Sequence, residues 1–451
     1  MALSGLDIYK LLPKTNCKEC GFPTCLAFAM KLSQKGAELS ACPYVSDEAK
    51  AALEAASSPP IRLITIGAGE NKIVVGNEVV LFRHEKTFYH EPGLVVRVAD
   101  SWEPEKIAEV VSQVDGYVVE RVGMKLTLNG IAVENASGDA ARFAQAVQLV
   151  RQKTALPLVL MSANAAAMDA ALQIAGPDKP LVYAATPENW QAYADLAKKY
   201  ACPLAITDSG DLSRLGSLAE SVIKAGVADL VLDPGTRNLA DSLASLTQLR
   251  RLALKKNLRL LGFPILAFAG GENSSLEEQT ILATELIAKY AGIVILGHFD
   301  PTGIYPLLTL RQNIYTDPQK PIQVSPGLYK FGEPGEQSPL LITTNFSLTY
   351  FTVAGEVEGS GVPSWLVIAD SEGMSVLTAW AAGKFDAEKI AKSVKSAGMD
   401  DKLGHRKLVI PGYVATLSGE VEEELPGWQI LVGPREAVDI PSYLKTVWKA
   451  A

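Results

Sequence analysis

Four of the five cysteines of this 451-residue chain, Cys17, Cys20, Cys25 and Cys42, fall near its N-terminus in the spacing C-x2-C-x4-C-x16-C. Thiolates spaced in this way bind soft metals. A structural zinc site usually draws its ligands from two close pairs, and the second half here supplies no such pair. Three ligands on one tight loop with a remote fourth is how a chain wraps a [4Fe-4S] cubane, one thiolate per iron. Gly21 and Pro23 suit that wrap, because glycine permits the turn that aims backbone N–H groups at the sulfides. Pro43 directly follows the last cysteine. The spacing favours the cluster, with zinc and reactive or merely buried thiols as alternatives. Cys202, alone at the start of an apolar run, reads as a core residue.

A second set of candidates lies in the middle of the chain, where Asp100, Glu134, Asn135, Asp208, Asp233, Asn273, His298 and Asp300 stand at or near the ends of apolar runs. The "VLDPG" at 231–235 looks like the strand-end motif of pterin-binding barrels, in which an Asp hydrogen-bonds a pterin ring. No matching set elsewhere completes such a site, and a strand-end Asp is often a helix cap. "GAGENK" at 67–72 lacks the G-x-x-x-x-G-K-[ST] pattern of a phosphate loop and reads as a hairpin turn. "LRRLALKKNLR" at 249–259 reads as a solvated basic helix face.

The elements that must position these residues fall into blocks. Residues 1–57 form a short helical unit around the cysteines, and residues 58–92 a connecting arm of strands and turns. Over 93–314, eight apolar runs beginning at 94, 126, 156, 180, 202, 229, 264 and 292 alternate with stretches of helical periodicity. That alternation predicts a (β/α)8 TIM-type barrel, with an open doubly wound sheet as the alternative. Residues 315–338, rich in Pro and Gly, read as a linker. Residues 339–451 carry the strand-like "LLITTNFSL", "SWLVIAD", "KLVIPGYVA" and "WQILVGPREA" between helical stretches, which predicts a Rossmann-like α/β unit. In such a sheet a ligand pocket is expected beyond the C-terminal strand ends.

Composition bounds the partners. No apolar run reaches the roughly 18–20 residues a spanning helix needs, so no membrane partner is expected. The net charge of -8 is spread along the sequence without a basic block, so nucleic acid is not expected either. "MALSGLDIYKLLPK" lacks the order of a signal peptide, which places the cysteines in a reducing cytoplasm and makes disulfides the poorer explanation for them.

With these blocks in order, "LDIYKLLPKTNCKECGFPTCLAFAMKL", "ACPYVSDEAK", "TTNFSLTYFTVAGEVE" and "ILVGPREA" make the whole chain resemble the large (gamma) subunit of the corrinoid iron-sulfur proteins of the acetyl-CoA (Wood-Ljungdahl) pathway. The resemblance implies a corrinoid methyl carrier. It would accept a methyl group from methyltetrahydrofolate through a separate methyltransferase onto Co(I) and deliver it to acetyl-CoA synthase. Cys17, Cys20, Cys25 and Cys42 would hold a [4Fe-4S] cluster that returns Co(II) to Co(I). The implied partners are a small subunit forming a heterodimer, the methyltransferase, the synthase, and a reductive activator or ferredoxin. Corrinoid contact is implied for Thr343, Thr349, Gly373, Met374, Ser375, Val376 and Ala437, with Gly433 and Arg435 beside them. The D-x-H-x-x-G motif that gives better-known cobalamin binders a cobalt ligand is absent, and none of His84, His90, His298 and His405 lies in such a motif. That absence fits a base-off cobamide. Two other readings stand beside this one: an iron-sulfur electron-transfer or redox scaffold without corrinoid, and a stand-alone pterin-dependent methyltransferase.

Overall fold

Eight short, almost wholly apolar segments dominate the middle of the chain, and each is buried on both faces, as parallel strands covered by helices must be. The computed structural model describes residues 5–33, 37, 39–46, 49–50, 59–209, 211–271, 274–317 and 322–450. Its contacts divide the chain into two units, one holding residues up to 119 and 126–315, the other residues 120–125 and 316 onward.

In the first unit, strands β1 (Ile64–Ile66) and β2 (Ile73–Val75) pair as an antiparallel hairpin. Next comes β3 (Gly93–Ala99); after the small ribbon of β4 (Val118–Arg121) and β5 (Met124–Thr127), whose residues 120–125 belong to the second unit, the first unit continues with β6 (Gly130–Glu134), β7 (Leu158–Met161), β8 (Leu181–Ala185), β9 (Leu204–Thr207), β10 (Leu230–Asp233), β11 (Ile265–Phe268) and β12 (Ala291–Leu296). Strand β3 and strands β6 to β12 close a parallel barrel in sequence order, β12 pairing with β3. A helix follows each barrel strand, from Pro104–Gly116 after β3 to Pro301–Tyr315 after β12. This is the (β/α)8 architecture. Local chemistry starts the helices where they start: Asp139, Asn164, Asp211 and Asn238 accept from first-turn N–H groups, and Ser275 with Glu278 makes a capping box.

The "GAGENK" hairpin does more than connect. Ile64, Ile66, Ile73 and Val75 pack with the barrel's inner side chains, among them Val95, Ala132, Val159, Val231 and Ile293. They plug the N-terminal mouth. Gly93 leaves room for this, since a Cβ there would stand 2.9 Å from Ile73 Cγ2. The rest of the arm is strapped on by buried arginines. Arg250 donates to the Val80 carbonyl at 2.9 and 3.1 Å and pairs with Glu78 at 3.4 Å, while Glu78 accepts the N–H groups of Tyr89 and His90. Arg311 donates to the carbonyls of Pro92 and Thr127. Arg250, in the "LRRLALKKNLR" stretch, is therefore core, while Arg251, Lys255 and Lys256 of the same stretch are exposed.

The second unit is a five-stranded sheet of β13 (Gly327–Phe331), β14 (Leu340–Thr344), β15 (Ser364–Ala369), β16 (Lys407–Ile410) and β17 (Gln429–Val432). The order is β13-β15-β14-β16-β17, with β13 antiparallel and the rest parallel. Two differences from the sequence reading stand out. Gly327–Phe331, inside the stretch read as linker, is an edge strand whose short alternation is masked by flanking Pro and Gly. The "NFSL" end of a strand-like run turns after Thr344 into the helix Ser347–Gly359.

Both faces of this sheet are covered. Leu340, Ile342, Val367 and Leu408 pack under Val376–Ala381, Ala387–Ser396 and Ser418–Glu424, and Leu341, Leu366 and Val409 under Ser347–Gly359 and the C-terminal helix. Around the cysteines, Ile8, Leu12, Phe28, Ala29 and Val45 form a small core of their own.

Candidate cofactor sites

The cysteine loop is held by unusual backbone. Lys14, Asn16, Lys18 and Gly21 all take the left-handed conformation, with φ of 59°, 48°, 66° and 80°. Three of these carry side chains, so surrounding contacts must hold the loop. One such contact is mutual: Asn16 Oδ1 accepts from the Cys25 N–H at 2.8 Å, and the Asn16 N–H points at Cys25 Sγ at 3.4 Å. Cys25 opens the helix Cys25–Ser33, whose N-terminal N–H groups favour a negative sulfur. Cys25 and Cys42 are buried, Cys17 and Cys20 half-buried, and all four thiols are free of disulfides.

These features fit thiolate ligands with N–H donors directed at sulfur. Among the described residues no three metal-ligating groups stand close enough to share one ion. A cubane takes each thiolate on a different iron, so its ligands stand farther apart than those of a single zinc. Cys202 is also free, but it sits in the barrel core, and burial pushes its thiol up to about 11.

In the second unit, topology predicts where a ligand crevice opens. From β14 the chain goes to β15 on one side, and from β15 it crosses to β16 on the other, so connections diverge between β14 and β16. Ligands collect at such switch points. The two strands share a single pair, Leu341 with Val409. A cavity of about 370 Å³ lies at this point, lined by the ends of β14 and β16, the helix Ser347–Gly359 and the loops after β15 and β17.

Of the nine residues assigned to the corrinoid by resemblance, Thr343, Thr349, Ser375, Val376, Gly433, Arg435 and Ala437 line this cavity. Gly373 and Met374 are not among its lining residues. Gly373, with φ of 73°, donates its N–H to Asn345, and Met374 packs against the core beneath. Thr343 is almost fully buried and its Oγ1 has no hydrogen-bond partner within the chain. A buried hydroxyl without a partner is costly unless a ligand or water completes it. Gly433 allows the loop after β17 to close on β16, since a Cβ there would meet the Ile410 carbonyl oxygen at 2.9 Å.

The wall also includes Leu348, Thr352 and Val353, which no sequence argument singled out. With Thr349 they recur at helical spacing on one face, a signal hidden while "NFSL" was read as strand. No histidine lines the cavity. His90 and His405 are tied to the carbonyls of Gly76 and Ser338, and His84 stacks on Phe82.

At the C-terminal end of the barrel, the candidate carboxylates are occupied by their own surroundings. Asp233, fully buried, receives both Arg237 guanidinium nitrogens at 2.7 and 3.0 Å, the Gly235 N–H at 2.8 Å and the Tyr183 hydroxyl at 2.6 Å. Burial and the neighbouring Asp233 push the Tyr183 phenol far above its usual range. Arg237 in turn lies over the Phe268 ring at 4.4 Å. Asp100 accepts from Ser137, Glu134 pairs with Arg97, Asp208 with Arg214, and Asp300 accepts from Thr302 at the start of its helix. Asn135 donates to Ser162, and the backbone of His298 to Gln279. Asn273 lies outside the described residues. With its acceptor sites filled, Asp233 offers a pterin ring no free oxygen.

Comparison with known proteins matches nearly the whole chain. The family model described as CO dehydrogenase/acetyl-CoA synthase delta subunit matches residues 63–444, and a model for an Fe-S cluster region matches residues 12–44. The chain is 45% identical over 445 residues to the corrinoid/iron-sulfur protein large subunit of Moorella thermoacetica, with 99% of each chain covered. The chain belongs to this corrinoid iron-sulfur family. Other members include the acetyl-CoA decarbonylase/synthase complex subunit gamma of Methanothermobacter thermautotrophicus, 39% identical over 98% of this chain and 99% of that one. The corresponding subunit of Methanocaldococcus jannaschii is 35% identical, over 99% and 96%. The family relation thus spans the cysteine loop, the barrel and the C-terminal sheet. Among the described residues no helix is long and apolar enough to cross a membrane.

Proposed function

We propose that this chain is the large subunit of a methyl carrier, binding a [4Fe-4S] cluster at its N-terminal cysteines and one face of a cobamide at the switch-point cavity. On this reading residues 1–57 are the cluster unit, 58–92 the arm and 93–314 the barrel, and the corrinoid unit begins ahead of residue 339, because Gly327–Phe331 is a strand of its sheet. The observation that carries it is the cavity between β14 and β16, whose wall contains seven of the nine residues assigned by resemblance. When bound, the cobamide would supply a Co(I) nucleophile that takes a methyl group from methyltetrahydrofolate by way of a methyltransferase and yields it to acetyl-CoA synthase, with the cluster as its reductant.

The chain's own part is to bind and orient. Thr343, Thr349 and Ser375 are among the hydroxyl-bearing residues of the wall. Val376, Ala437, Leu348 and Val353 supply apolar surface for the flat ring, and Gly433 lets backbone approach it closely. Cavity size argues for a partner. A cobamide is too large to be enclosed by about 370 Å³, and Leu348, Leu377 and Tyr413 on the wall remain 62%, 44% and 41% exposed. Exposed apolar groups around a concave site mark a surface that another chain covers, which suits a small subunit closing the other side.

Support for the cluster comes from the four free thiols and the N–H directed at Cys25. Transfer itself is tested with isotopically labelled methyltetrahydrofolate, a methyltransferase and a low-potential reductant, added to the anaerobic heterodimer loaded with corrinoid. Label is expected to become protein-bound only with all three present. A loaded, reduced heterodimer that takes up no label would leave an electron-transfer role for the chain and overturn the carrier reading.

A further inference from the structure

One buried amide ties the cavity together. Asn345 follows β14 directly and is 1% exposed. Its Oδ1 accepts three hydrogen bonds from the loop after β15: the Ser371 N–H at 2.9 Å, the Ser371 hydroxyl at 2.8 Å and the Gly373 N–H at 3.0 Å. Its Nδ2 donates to Gln323 Oε1 at 2.8 Å and, more weakly, to Asp370 Oδ1 at 3.4 Å. Its carbonyl accepts the Val324 N–H at 3.0 Å. Three chain segments, 322–324, 343–347 and 370–375, therefore meet on this one side chain.

The loop it holds would not keep its shape unaided. Glu372 and Gly373 are successive left-handed residues, with φ of 56° and 73°, and the first carries a side chain. Within the loop, the Met374 N–H donates to the Ser371 carbonyl, the Ser371 hydroxyl also approaches the Met374 carbonyl, and Glu372 N–H donates to Asp370. The turn ends at Ser375 and Val376, which line the same cavity as Thr343. Asn345 so couples the β14 wall to the β15-loop wall.

We propose that Asn345 is a positioning residue for the cobamide cavity, setting Ser375 and Val376 against Thr343, and that an amide is required there. This rests on the reading that the cavity binds the cobamide. An amide alone presents an acceptor to the three loop donors and a donor to Gln323 and Asp370. A carboxylate of the same shape would keep the first and place a negative oxygen against the Asp370 carboxylate, whereas Gln323 can turn its amide to donate. Glu372, the other acid of the loop, is already paired with Lys384 at 2.7 Å.

The test compares release of hydroxocobalamin from heterodimers carrying Asn345→Asp, Asp370→Asn, or both. Loss of one well-placed hydrogen bond corresponds to about a tenfold change, so Asn345→Asp is expected to speed release at neutral pH by about that factor or more. The double substitution returns a donor to the pair and is expected to recover most of the retention, with Asp370→Asn alone close to the parent. Ser371→Ala, which removes one donor from the same oxygen, gives a smaller increase and serves if Asn345→Asp does not fold. Unchanged release in both Asn345→Asp and Ser371→Ala, or folded Asn345→Asp with no recovery in the double variant, would overturn the proposal. A parent heterodimer that binds no corrinoid would instead refute the reading on which it rests.

Discussion

Cys25→Ser is expected to remove the iron-sulfur cluster, lowering iron and acid-labile sulfide from about four of each per chain to near zero, while corrinoid content of the heterodimer stays close to that of the parent. Cys25 is buried, begins a helix and exchanges two hydrogen bonds with Asn16. It is the ligand most integrated with the loop's left-handed backbone, and a serine hydroxyl is a poor substitute for a thiolate on iron. Because the small cysteine core is separate from the residues lining the cavity, the loss should remain local. Elemental analysis and electron paramagnetic resonance of the reduced protein provide the readout. Full cluster content in the variant would show that Cys25 is a core thiol and not a ligand. A variant lacking the cluster is further expected to transfer methyl groups until its cobalt is oxidised and then to fail to recover with a low-potential reductant.

Ala437→Trp is the second substitution with a large expected effect. Ala437 lies half-buried on the cavity wall at the start of a short turn, next to exposed Glu436 and Val438. Ala437 borders the core around Ile440 and Leu444 but is only half-buried, so the larger side chain has the cavity beside it. An indole there would occupy a large part of about 370 Å³ and take the place of the ring. Cobalt content is expected to fall by at least about tenfold, a loss of about 1.4 kcal/mol or more in binding, with the cluster spectrum and thermal midpoint little changed. Retention of corrinoid at the parent's level would mean that the cobamide sits elsewhere.

Much of the architecture is legible in the sequence for a plain reason. Parallel barrel strands are buried on both faces, so runs such as "LPLVLMSA" and "GIVILGHFD" stand out as continuous apolar stretches between helical ones, and all eight form barrel strands. The cysteine spacing is equally local. What could not be read depends on contacts distant in sequence. Nothing in "IRLITIGAGENKIVV" says that its isoleucines enter the barrel, because that follows from the closed ring of strands they meet. Asp233 looks available as a letter in "VLDPG", yet Tyr183, fifty residues earlier, helps occupy it.

The cavity divides in the same way. Thr343 and Gly433 are implied by the resemblance and stand at the strand ends where an open α/β sheet places its pocket, whereas Leu348, Thr352 and Val353 need the helix to be recognised first. Nothing in "TTN" marks Asn345 as more than another polar residue after a strand. Its side chain instead turns to the loop after β15, an arrangement set by residues 22 to 28 positions away.

On the proposed function, this chain holds one face of a cobamide at the β14–β16 switch point. The most direct measurement is cobalt in the anaerobically purified heterodimer, compared between the parent and Ala437→Trp, with iron measured in the same samples. About one cobalt beside about four irons is expected in the parent, and the irons without the cobalt in the variant. A parent heterodimer that carries its irons and no cobalt would contradict it.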